Sequence, residues 1–61
     1  MDHSSGHDEV TERAATASYI ASISGELAGV ARECGLGSLA YLLEMARLEA
    51  EAQMRRLDPP S

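Results

Sequence analysis

Lysine, phenylalanine, tryptophan and asparagine are all missing from this chain, and each gap excludes something. Without lysine, the basic residues are 5 arginines against 10 acidic residues, a net charge of −5. Nucleic-acid binding rests on clustered positive charge that neutralises phosphate, and adhesion to an anionic membrane needs the same, so neither partner is expected. Aromatic side chains supply much of the apolar area of cores and pockets, yet only Tyr19 and Tyr41 are aromatic. Leu, Ile and Val number 7, 2 and 2 among 61 residues, too few to wall a substrate cavity. The lone cysteine, Cys34, cannot close an internal disulfide, which fits a reducing compartment and a cytoplasmic location. No run of about 20 apolar residues is present to span a bilayer. The best stretch, residues 14–31, is interrupted by Glu26. The acidic, polar start MDHSSGHDE does not read as a secretory signal.

What is present is helical. Proline occurs only at positions 59 and 60, and alanine is frequent between residues 14 and 52. Residues 1–8 read as a disordered tail, with Asp8 placed to cap a first helix over about 9–34. Gly35-Leu36-Gly37 stops that helix: Gly35 suits the left-handed position of a Schellman ending, with Leu36 folding back onto Ala31 or Val30. The turn covers 35–38, and Ser38 stands where an N-cap is wanted before a second helix over about 39–57. Asp58 precedes two prolines, so the chain leaves the helix there and residues 58–61 form a tail. The fold expected is all-α, an antiparallel two-helix hairpin.

Helical spacing predicts which faces meet. Ile20, Ile23, Leu27, Val30 and Cys34 follow one another in steps of 3, 4, 3 and 4, and form a stripe of larger side chains on the first helix. Leu39, Leu42, Leu43, Ala46, Ala50, Met54 and Leu57 form a broader stripe on the second. Antiparallel pairing sets Val30 near Leu42 and Leu43, Leu27 near Ala46, Ile23 near Ala50 and Ile20 near Met54. A large residue opposite a small one lets helices interdigitate.

Two surfaces are left over. Tyr41, Met45, Leu48 and Ala52 make a second apolar line on the second helix, separated from the first stripe by Glu44, Arg47, Glu51 and Arg55 on one flank and by Glu49 and Arg56 on the other. Ala14, Ala17, Ser18, Ala21, Gly25, Ala28 and Gly29 make a smooth face on the first. Glycine within a helix costs about 1 kcal/mol relative to alanine, so Gly25 and Gly29 suggest either close approach of another helix or a weak, flexible first helix. Tyr41, Met45, Leu48, Ala52, Ala21, Gly25 and Gly29 are therefore the expected interface.

The candidate chemistry is thin. His3 and His7 are four apart, as two zinc ligands on a helix would be, but no third or fourth ligand is fixed nearby, so a solvated tail is the simpler reading. Glu33 and the helix C-terminus disfavour a Cys34 thiolate, and a small buried residue at the turn is expected instead. Glu44, Arg47, Glu51 and Arg55 read as surface ion pairs. No catalytic residue, cofactor or metal site is expected.

Leu39-Ala40-Tyr41-Leu42-Leu43-Glu44-Met45-Ala46-Arg47-Leu48-Glu49-Ala50, preceded by Gly35-Leu36, resembles the C-terminal half of short helical-hairpin proteins of alphaproteobacteria, a family without an assigned activity. The resemblance covers about Tyr19 to Ala52 and implies a bacterial, cytoplasmic setting. In shape the expected hairpin is also similar to the plasmid copy-number protein Rop, which dimerises and binds RNA. The RNA-binding activity is not carried over to a chain without lysine. The function expected is that of a non-enzymatic interaction protein, a homodimer forming a four-helix bundle. The alternative is an adaptor or inhibitor subunit docking on a larger protein through its exposed apolar helix face.

Overall fold

The computed structural model describes the backbone of residues 5–57 and the side chains of residues 9–57. Two helices, α1 (Ser5–Glu33) and α2 (Gly37–Leu57), form the hairpin, with no strand among the described residues. The molecule measures 49 × 25 × 13 Å and is one helix layer thick. Residues 5–8, expected in the tail, belong to α1, and Asp8 lies within that helix rather than capping it. His3 and the tail at 58–61 lie outside the described residues.

The turn follows from backbone hydrogen bonding. Gly35 sits at φ 77°, its N–H donates to the Arg32 carbonyl at 3.1 Å, and the Leu36 N–H donates to the Ala31 carbonyl at 2.8 Å. These are the two bonds of a Schellman ending. The Leu36 carbonyl then accepts from the Ala40 N–H at 2.9 Å, so one residue closes α1 with its N–H and opens α2 with its C=O. Leu36 therefore stands at the cap position expected for Ser38, which lies in the first turn of α2. Gly35→Ala forces a Cβ into the left-handed region and is expected to cost about 1–2 kcal/mol in a urea melt. An unchanged midpoint would contradict the strained turn.

Between the helices runs a seam of small side chains. Ala17, Ala21, Ser24, Ala28 and Ala31 of α1 are buried, as are Ala40 and Ala50 of α2. On α1 the steps are 4, 3, 4 and 3. On α2 the half-buried Leu43, Arg47, Met54 and Leu57 complete the row 40, 43, 47, 50, 54, 57. That alternation averages 3.5 residues, the repeat that keeps two coiled helices in contact along one line.

The seam corrects the expected core. Ile20, Leu27, Val30, Leu39 and Leu42, placed inside by size, are between 44% and 62% exposed. Ala46 and Cys34 are exposed as well. Alanine lets the two backbones come close, and a seam that narrow has no room for branched side chains. The antiparallel register is close to the expected one, as the Gly25–Arg47 contact and the Arg32–Glu44 pair show. What differs is the rotation of each helix about its own axis.

Candidate functional site

With a seam repeating every 3.5 residues, side chains seven apart fall in one column beside it. Arg13, Thr16, Ile20, Gln53 and Leu57 line a groove on one broad side of the hairpin. Arg13 and Ile20 share their column with Leu27 and Cys34, and Thr16 shares its column with Ile23 and Val30. Gln53 continues to Ala46 and Leu39, and Leu57 to Ala50 and Leu43. Ser18, Ser22, Gly25, Arg47 and Glu51 line a groove on the opposite side. Their columns continue to Gly29, Arg32 and Glu44. The hairpin is thus a plate with an apolar side and a polar side.

On the polar side, side chains join the two helices. Arg32 meets Glu44 at 3.1 Å, and Arg47 reaches Glu44 at 2.9 Å and Glu51 at 2.8 Å. The Arg47 stem lies across Gly25: a Cβ placed there would stand 3.1 Å from Arg47 Cδ. The close approach anticipated at Gly25 is therefore made by the chain's own second helix, and Ala21 is buried in the same seam. Gly29 has nothing within 4 Å of a Cβ built on it. Gly29→Ala is expected to raise stability by about 0.5–1 kcal/mol, since it removes only backbone freedom; a destabilised variant would mean that something packs there.

Donation from Arg47, and then from Arg32, holds the Glu44 carboxyl below its ordinary value of 4.5. Its pairing with Glu44, and then Glu51, pushes Arg47 upward. A carboxylate with a depressed folded-state pKa adds stability that is fully present above the unfolded value and is lost as pH falls through the folded one. Chemical denaturation at neutral pH and at about pH 3.5 should therefore show a larger acid loss in the parent chain than in Glu44→Gln. Equal losses would contradict the pairing.

The turn half of the apolar side presents Ile20, Ile23, Leu27, Val30, Leu39, Leu42, Leu43 and Ala46, without a charged residue among them. Charge lies around these residues: at Glu9, Glu12 and Arg13 in the open half, and along the outer edge of α2, where Glu49 and Arg56 share the column of Leu42 and pair at 3.3 Å. Tyr41, Met45 and Leu48 are exposed and Ala52 is half-exposed, on the outer flank of α2 beyond the polar side. The expected interface is thus divided among three places: Ala21 and Gly25 in or against the seam, Gly29 on the polar side, and the tyrosine-led line on the flank. The larger apolar surface is one that size-ranked spacing had assigned to the core.

Among the described residues no group of three His, Cys, Asp or Glu side chains is placed to hold a metal ion. No described helix is long and apolar enough to cross a membrane. Comparison with protein-family models, curated proteins and solved structures finds no match to this chain.

Proposed function

We propose that this protein is a non-enzymatic interaction module, a helical hairpin of bacterial cytoplasm that associates with a second copy of itself to form a four-helix bundle. One observation supports the reading above the others: among the described residues no large side chain is fully buried, and the core consists of six alanines and Ser24. Hydrophobic stabilisation scales with apolar area removed from water, and a seam of alanines removes little. A chain this small is marginal even with a full core, so the exposed leucines and isoleucines need a cover. An open hairpin one layer thick leaves a whole broad side for it.

Light scattering after size exclusion, over a dilution series, tests the reading. The expected mass is near twice 6.5 kDa at micromolar concentration. A monomer that remains fully helical throughout would contradict it. The adaptor reading keeps one specific support, the separate Tyr41-Met45-Leu48 line on the outer flank of α2, which a two-hairpin bundle leaves open. It predicts a monomer that loses helix when purified alone.

A further inference from the structure

We propose that the second copy sits on the apolar side of the plate, α1 of each chain lying over α2 of the other, with both turns at the same end of the bundle. The proposal rests on the self-association reading and names its surface and symmetry. Area is the first argument. The chain exposes 4499 Å², whereas a globular protein of this mass is expected to expose about 3,800 Å². The surplus of about 700 Å² belongs to the whole chain, and covering one broad side of the plate, at roughly 800 Å² per partner for an interface of ordinary size, would remove it.

Charge is the second. The polar side is occupied by the Arg32–Glu44–Arg47–Glu51 ion pairs, so covering it would desolvate them. On the apolar side the ridge of Ile20, Ile23, Leu27 and Val30 and the column of Leu39 and Ala46 carry no charge, and the exposed Glu49–Arg56 pair lies at the outer edge of α2, where it can stay in water.

Shape decides the occupant and the symmetry. On this side α1 presents a ridge of Ile20, Ile23, Leu27 and Val30, whereas α2 presents a gap at Ala46, bordered by Leu42, Leu43 and the buried Ala50. A surface that carries both a ridge and its gap is complementary to itself. A two-fold axis along the hairpin sets the ridge of one chain over the gap of the other, with Ile23 and Leu27 on either side of the partner's Ala46. A two-fold axis across the hairpin would set ridge on ridge instead.

Cys34 reports on this arrangement. It is exposed and falls in the column of Ile20 and Leu27 at the turn. With both turns at one end, a short bis-maleimide is expected to join the two Cys34 thiols of the parent chain into a covalent dimer, and Cys34→Ser to abolish the product. In parallel, Leu27→Glu is expected to weaken self-association on the order of 100-fold, because it sets an unpaired charge at the interface centre, whereas Leu48→Glu on the flank changes it by less than about threefold. The cross-link needs no variant to fold. A non-covalent dimer that does not cross-link would overturn the placement of the turns. A dimer that survives Leu27→Glu and fails with Leu48→Glu would overturn the choice of side while leaving self-association standing. A monomer at every concentration, or a different protein bound stoichiometrically to the apolar side, would overturn the self-association reading itself.

Discussion

Ala28→Leu is expected to destabilise the chain by about 2–3 kcal/mol, against less than about 0.5 kcal/mol for Ala15→Leu at an exposed position in the column of Ser22 and Gly29. Ala28 has no exposed surface and stands in the middle of the seam. Leucine there has no void to enter, so it must push the helices apart and break the contacts of Ala21, Ala31 and Ala40 together. Leucine is otherwise a good helix former, and if the larger side chains formed the core the substitution would be harmless. Urea denaturation of the two variants separates these outcomes. Equal midpoints would mean that the alanine row does not hold the hairpin.

Thermal unfolding is expected to depend on concentration, with the midpoint rising by about 7 °C for each tenfold increase. The figure follows from the size of the bundle. The two helices contain 29 and 21 residues, so a dimer orders roughly 100, with an unfolding enthalpy of about 70 kcal/mol at 0.7 per residue. When two chains separate as they unfold, mass action shifts a midpoint near 60 °C by about that amount. A midpoint that does not move between micromolar and millimolar chain would mean that the hairpin folds alone, with its leucines in water.

Much of the fold can be read from local chemistry. Gly35 followed by Leu36 specifies a Schellman turn, because only the left-handed position brings both N–H groups back onto α1. The absence of proline before position 59 leaves both helices uninterrupted. The start of α2 was less legible: Ser38 is the better capping side chain, but the preceding turn already directs the Leu36 carbonyl to Ala40.

Rotation about the helix axes was not legible from side-chain size. Ranking residues by hydrophobic area places Ile20, Leu27 and Val30 inside, as they would be in a bundle with a third element. In a two-helix layer the gain comes from how closely the backbones approach, and Ala17-Ala21-Ser24-Ala28-Ala31 allows that better. Sequence spacing places Ala17, Ala21 and Ala28 on a smooth face left for another helix, together with Gly25 and Gly29 and without Ser24 or Ala31. The same substitution of roles explains why Gly25 faces Arg47 and why Cys34 is exposed rather than buried. Apolar area that a hairpin cannot cover internally is what gives it a surface for association.

Isotope-filtered nuclear Overhauser spectroscopy on an equimolar mixture of labelled and unlabelled chain tests this account most directly, because it detects only contacts between chains. The account predicts intermolecular contacts from the methyl groups of Ile23 and Leu27 to that of Ala46, while Ala28 and Ala40 contact each other's helices only within one chain. Intermolecular contacts confined to Tyr41, Met45 and Leu48, or arising at Ala28, would contradict it.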